Sequence, residues 1–215
     1  MRSYGDFCGV ARALSAVGER WALLIVRELL LGPKRFSDLS RALPTLSQNV
    51  LSQRLRELEQ AGVVTRRLLG PPAGARVYEL TPRGRDLEDT LLALGTWGSR
   101  QPLPPTGQLS VDALMLALRT TYDARRAGGL RARVDLRVAT DRFDVEVDPA
   151  EGVRITRGTA ARPTAGVRAD VPTLLAVLFG GRPVDDAVAA GDLDLSGDRG
   201  VAARFLACFP GPTPA

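Results

Sequence analysis

The sequence predicts a two-domain chain: a mainly helical front half, then an α+β half built on an antiparallel sheet. Three observations carry this. The chain has 215 residues, enough for two domains at roughly 100–200 residues each. Its apolar period is helical before residue 100 and becomes an alternation of two beyond it. Between the two lies Ser99-Arg-Gln-Pro-Leu-Pro-Pro-Thr-Gly107, rich in proline and glycine and without a period. The expected division is residues 1–99, a linker at 100–109, and residues 110–215.

Composition narrows the chemistry. Hydrophobic residues are 45% and charged residues 25%, too apolar for a long disordered tract. There is no histidine, which removes Ser-His-Asp and Cys-His catalysis and His-bearing zinc sites. The 2 cysteines, Cys8 and Cys208, make neither a structural zinc site nor a disulfide framework. The chain is read as a non-enzyme, with no cofactor and no metal. Apolar runs such as Trp21–Val26 are too short for a membrane span, and MRSYGDFCGV carries no signal-type apolar core. The expectation is therefore a cytoplasmic protein with no membrane partner.

The net charge of +5 sits in the front half: residues 1–100 hold 15 Lys+Arg against 10 Asp+Glu, residues 101–215 hold 14 of each. A basic module followed by a neutral one is the electrostatic footprint of a polyanion binder, though an ordinary basic surface has the same count.

In the front half, Val10, Leu14 and Val17 share one face of a helix from Cys8 to Val17. Trp21, Leu24, Ile25 and Leu29 do so from Arg20 to Leu31, which stops at Gly32-Pro33. A short helix with Phe36, Leu39 and Leu43 ends before Pro44. Ser47 is placed to cap the next helix, Gln48 to about Ala61, with Leu51, Leu55 and Leu58 inward and Gly62 closing it. Two β-prone runs, Val63–Leu69 and Arg76–Leu80, flank a loop at Gly70–Ala75. Thr81 then caps a helix opened by Pro82 and running to about Trp97. Helix, helix, helix–turn–helix, hairpin, helix is the order of a winged helix-turn-helix.

At 100° per residue, Asn49, Gln53 and Arg56 point away from the core of the fourth helix, with Ser52 at the margin and Gln48 at the N-terminal turn. Asn and Gln pair with adenine and Arg with guanine in the major groove, so Gln48, Asn49, Ser52, Gln53 and Arg56 are the candidate base readers on a double-stranded DNA operator. The competing reading is a merely solvated helix. Lys34 and Arg35 are placed for phosphates, Arg54 for an ion pair or a phosphate, and Arg66, Arg67 and Arg76 flank the wing loop.

Cys8-Gly-Val-Ala-Arg-Ala-Leu14, Gly18-Glu-Arg-Trp21, Glu28-Leu-Leu-Leu-Gly-Pro-Lys-Arg-Phe36 and Leu51-Ser-Gln-Arg-Leu-Arg-Glu-Leu58 resemble the HxlR-type bacterial transcription regulators, relatives of the MarR type. Ala61-Gly-Val-Val-Thr-Arg66 and Tyr78-Glu-Leu-Thr-Pro-Arg-Gly84 continue the match over about residues 6–98. The resemblance implies homodimers on pseudo-palindromic operators. It also implies an interface from the first and last helices, here around Leu14 and along Leu87, Leu91, Leu94 and Trp97. Some members of the type sense electrophiles or oxidants through a cysteine near position 8. No lysine or histidine adjoins Cys8 to activate it, which favours a structural thiol.

In the rear half, Val111, Leu114, Met115, Leu118 and Tyr122 mark an amphipathic helix. Leu130–Val138 and Phe143–Val147 alternate apolar with charged residues and read as antiparallel strands. With Thr140-Asp141 as the loop, Val138 faces Phe143, Leu136 faces Val145 and Val134 faces Val147. Further strands are expected at Val153–Ile155, Gly166–Ala169 and Asp192–Leu195, and helices at Thr173–Phe179, Val184–Ala190 and Asp198–Cys208.

Gly166-Val-Arg-Ala-Asp-Val-Pro-Thr-Leu-Leu, Phe179-Gly-Gly-Arg-Pro and Gly191-Asp-Leu-Asp-Leu-Ser-Gly-Asp198 resemble the sterol-carrier-protein-like domain, over about residues 110–209. That resemblance implies an apolar ligand tunnel, here among Val134, Leu136, Val138, Phe143, Val145, Leu175, Leu178, Phe179 and Phe205. A filled core serving only dimerisation is the alternative. The expected protein is a homodimeric regulator answering to an apolar small molecule. Its rivals are a sensor working through Cys8 and a non-catalytic apolar-ligand carrier.

Overall fold

The computed structural model describes residues 4–70, 74–101 and 107–211. The chain divides into two compact units, Met1–Leu91 and Leu92–Ala215. Part of the expected linker (residues 102–106) and the tip of the wing loop (residues 71–73) lie outside the described residues.

The first unit holds α1 (Gly9–Val17), α2 (Ala22–Leu29), α3 (Phe36–Ala42), α4 (Gln48–Gln60), β1 (Val64–Leu68), β2 (Arg76–Leu80) and α5 (Pro82–Arg85). Ile25 and Leu29 of α2, Leu39 of α3, and Leu51, Leu55 and Leu58 of α4 are buried together in one core. Ser47 caps α4, its Oγ accepting from Val50 N at 3.4 Å. The chain leaves α4 through Gly62 at φ +67°, where Val63 N donates back to Leu58 O; glycine enters this left-handed region without steric cost.

β1 and β2 form the antiparallel wing, Val64 opposite Leu80 and Leu68 opposite Arg76. The Lys34 backbone joins this sheet, exchanging hydrogen bonds with Tyr78. Thr81 Oγ1 donates to Gly62 O at 2.6 Å and accepts from Gly84 N at 3.1 Å, so the wing's end is tied to the end of α4.

The single helix expected from Pro82 to Trp97 is broken. α5 ends at Arg85 and α6 (Glu88–Gly98) follows, crossing the division between the units. A Cβ on Gly84 would lie 2.1 Å from Val63 O. The chain is thus held tightly against the wing before α6 starts.

The second unit holds α7 (Val111–Thr121), α8 (Ala124–Ala127), β3 (Ala132–Val138), β4 (Asp141–Asp148), β5 (Gly152–Arg157) and β6 (Ala165–Ala169). It continues with α9 (Val171–Leu178), α10 (Val184–Ala189), β7 (Asp194–Gly197) and α11 (Arg199–Ala207). The five strands lie in the order β5-β4-β3-β6-β7. The expected antiparallel sheet is corrected to a mixed one, because β3 and β6 run parallel at the centre. α7 packs on β5, and α11 on β3, β6 and β7.

The β3–β4 register is also corrected. Val138 pairs with Asp141, Leu136 with Phe143 and Val134 with Val145. The loop is Ala139-Thr140, with Ala139 at φ +53°, so Asp141 opens the next strand and every pair moves by two residues. The shift keeps the apolar face intact, since the side-chain period is two. The register that is observed brings Arg133 to Asp144, its Nε donating to Oδ1 at 2.8 Å.

Val134, Leu136, Val138, Phe143, Val145 and Phe205 are all buried. In α9, Leu174 and Leu178 turn inward while Leu175 and Phe179 are half-buried. Phe205 meets Phe209 edge to face at 5.1 Å.

Candidate nucleic-acid interface

α4 presents the side chains that sequence placed on its outer face. Gln48, Asn49, Gln53 and Arg56 are exposed and Ser52 is half-buried, while Leu51, Leu55 and Leu58 hold the opposite face in the core. A rod fixed on one side and polar on the other is what major-groove entry requires.

These side chains are joined in a chain of hydrogen bonds. Arg56 Nη2 donates to Gln53 Oε1 at 2.7 Å, and Gln53 Nε2 donates to Glu57 Oε1 at 2.8 Å. Glu57 also accepts from Arg54, whose Nη2 stands 3.1 Å from Glu19 Oε2. Burial raises the Glu57 carboxyl, but the hydrogen bonds from Gln53 and Arg54 outweigh it and hold its pKa below the ordinary glutamate value.

Lys34, placed for a phosphate, is committed elsewhere, and of the two roles open to Arg54 the structure shows the ion pair. The Arg54 side chain is only 18% exposed and joins α4 to the α1–α2 turn through Glu19 and Glu57; its Nε is buried with no partner. Lys34 Nζ lies 3.2 Å from Oε2 of Glu28, a carboxylate with no exposed surface that also accepts from Arg27. A charge at the edge of a helix turn looked free in the sequence because its counter-ion lay six residues back.

Arg35 is exposed at the start of α3, its backbone N donating to Asp38 Oδ2 at 3.1 Å. On the wing, Arg66 pairs with Glu59 at 2.7 Å and lies over the Tyr78 ring at 5.4 Å, and Arg67 pairs with Glu79 at 3.0 Å. Both stay about half exposed, at 51% and 52%, and Arg76 is exposed at the start of β2. Glu19 and Glu57, which order this surface, were not singled out in the sequence. The spacing of Arg54 to Glu57 on one helix face was the available signal.

The expected self-association residues separate into two groups. Leu14, Leu94 and Trp97 are exposed, as are Phe7 and Val10. Leu91 is packed into the core of the first unit, which covers it, and Leu87 is half-buried against the same core. Cys8 is exposed and Cys208 buried. Among the described residues no helix is long and apolar enough to cross a membrane.

A basic helical unit with a capped, polar-faced helix and a two-stranded wing is a winged helix-turn-helix DNA-binding unit. The profile of the HxlR-like helix-turn-helix family matches residues 16–104. The uncharacterized HTH-type transcriptional regulator YvaP of Bacillus subtilis is 43% identical over 89 residues, 41% of this chain and 82% of YvaP. The HTH-type transcriptional regulator YodB of the same organism is 36% identical over 88 residues, 41% of this chain and 79% of YodB. The redox regulator HypR in its oxidized form superposes with a TM-score of 0.42 at 32% identity, over 45% of this chain and 100% of HypR. The chain belongs to the HxlR-like helix-turn-helix family.

Proposed function

We propose that this protein is a homodimeric transcription regulator of the bacterial cytoplasm that binds pseudo-palindromic operators and responds to an apolar small molecule. The polar outer face of α4, fixed from behind by Leu51, Leu55 and Leu58, carries the reading. Gln48, Asn49, Ser52, Gln53 and Arg56 read base edges, and Arg35, Arg66, Arg67 and Arg76 bind phosphates or the minor groove. A twofold dimer through α1 and α6, using exposed Leu14, Leu94 and Trp97, sets the two α4 helices one DNA turn apart, about 34–36 Å.

The second unit, residues 110–215, acts as the effector domain, of sterol-carrier type. Its apolar ligand lies between the inner sheet face (Val134, Leu136, Val138, Phe143 and Val145) and the helices bearing Leu175, Leu178, Phe179 and Phe205. A ligand shifts DNA affinity only if it binds one arrangement of the reading heads better than the other. A second reading rests on the exposed thiol: Cys8, just before the first turn of α1, is the sensor and the second unit is passive.

The test is fluorescence anisotropy with duplex from the protein's own promoter region, titrated with salt. A regulator loses affinity with a slope of about 0.9 log units per neutralised phosphate; a flat response assigns the chain to apolar-ligand carriage. Native mass spectrometry of protein from its host identifies a co-purified ligand, and loss of an oxidant response in Cys8→Ser identifies the thiol sensor.

A further inference from the structure

Gln53 reads a base only if its amide presents the right end to the right atom. An adenine edge offers an acceptor, N7, beside a donor, N6, and the glutamine must meet them with nitrogen and oxygen in that order. A half-turn about the last side-chain bond exchanges the two ends, and the torsion itself prefers neither strongly.

Neighbours on α4 remove that freedom. Gln53 Nε2 donates to Glu57 Oε1 at 2.8 Å, and Gln53 Oε1 accepts from Arg56 Nη2 at 2.7 Å. An ionised carboxylate only accepts and a guanidinium only donates. The reversed amide would set oxygen against oxygen and N–H against N–H, losing both bonds. Each end still keeps one site free, since an amide carries two N–H groups and two lone pairs. Those remaining sites are the donor and acceptor that a base edge takes.

Glu57 is itself anchored. Its other oxygen accepts from Arg54, whose Nη2 stands 3.1 Å from Glu19 Oε2 in the α1–α2 turn. The Arg54 side chain is largely buried, so the relay starts from a fixed point and runs outward to Gln53 and Arg56.

We propose that Glu57 is a specificity-positioning residue: it locks the Gln53 amide in one orientation, and Arg56 through it, so that α4 meets the operator with its readers already set. This rests on α4 being the reading helix. Glu57 also puts a negative charge beside the interface, which opposes every duplex alike. The ratio of operator to random-duplex affinity therefore isolates the lock from the charge.

The test uses the full-length protein in two settings. Without DNA, NMR relaxation of side-chain amides is expected to find Gln53 well ordered beside exposed Gln60. In Glu57→Gln it is more mobile, because the substituted amide donates and accepts alike. With DNA, anisotropy should show that Glu57→Gln lowers the affinity ratio about three- to tenfold, the worth of ordering one long side chain. Random-duplex affinity, which is electrostatic, does not fall. In a Gln53→Ala background the same substitution leaves the ratio unchanged, since nothing remains to lock. A Gln53 amide as mobile as that of Gln60 in the unmodified protein overturns the lock, whether or not the variant folds. Equal loss on both duplexes, an unchanged ratio, or the same loss in Gln53→Ala overturns the positioning role. An ordered Gln53 amide in a protein that binds operator no better than random duplex overturns the reading of α4, and the positioning role with it.

Discussion

Glu28 has no exposed surface, and the ammonium of Lys34, the chain's single lysine, stands 3.2 Å from its Oε2. The pair joins the end of α2 to the segment that hydrogen-bonds Tyr78 in the wing. Removing one partner of a buried pair leaves an uncompensated charge. Arg27 still contacts Glu28, so Lys34→Met is expected to cost about 1–3 kcal/mol. Glu28→Gln, which leaves both Arg27 and Lys34 without their shared counter-charge, costs more. Urea unfolding midpoints of the two variants decide the order.

Gln53→Ala and Arg56→Ala are expected to weaken operator binding by about 1–3 kcal/mol each while barely touching affinity for random duplex. Arg66→Ala acts the other way. It lowers affinity for both DNAs alike and reduces the salt slope by about 0.9. Anisotropy titrations on the two duplexes at several salt concentrations separate the roles, and equal loss on both DNAs for Gln53→Ala would remove it from the base readers.

Asp170 caps α9, and the hydrogen bonds from Thr173, chiefly, hold its carboxyl below the ordinary value of 3.8. A lowered folded pKa contributes stability that is complete above 3.8 and is lost as pH falls through the folded value. Asp170→Asn keeps a capping oxygen but loses the charge. It should melt below the unmodified protein at pH 6 and converge with it in acid. Asp170→Ala loses the cap as well, about 1 kcal/mol. Melting curves across pH follow both.

The two thiols should differ sharply toward iodoacetamide. Cys208 is buried, its Sγ 3.2 Å from Arg204 O, and burial raises its pKa despite the nearby Arg204 charge. Thiolate is the reactive form. Native protein should therefore be alkylated at Cys8 alone, and Cys208 only after unfolding. Peptide mass mapping reports both, and fast labelling of Cys208 in the native state would show that the core around Phe205 and Phe209 opens readily.

The parts legible in the sequence were those written in local chemistry. Ser47, the Leu51–Leu55–Leu58 stripe and Gly62 state the start, buried face and end of α4, and all three do so in the structure. The strand faces were equally plain, because alternation survives any shift of two residues. The register was not. It depends on Ala139 taking a left-handed conformation, which an alanine gives no reason to expect. Nor does alternation name a partner strand, so the β3–β6 pairing was invisible. At the interface, outward direction and an ion-pair role for Arg54 were readable, but the commitment of Lys34 was not: its counter-ion, Glu28, is set by how helix and turn meet.

That parallel pairing has a kinetic consequence. Val134 must find Ala165 across the whole β4–β5 hairpin before the middle of the sheet exists. Closing so long a loop is entropically slow, whereas the helical unit assembles mostly from near neighbours along the chain. Translation delivers the helical unit first. A nascent chain should thus own a finished winged helix-turn-helix while its second unit is still searching for its central contact.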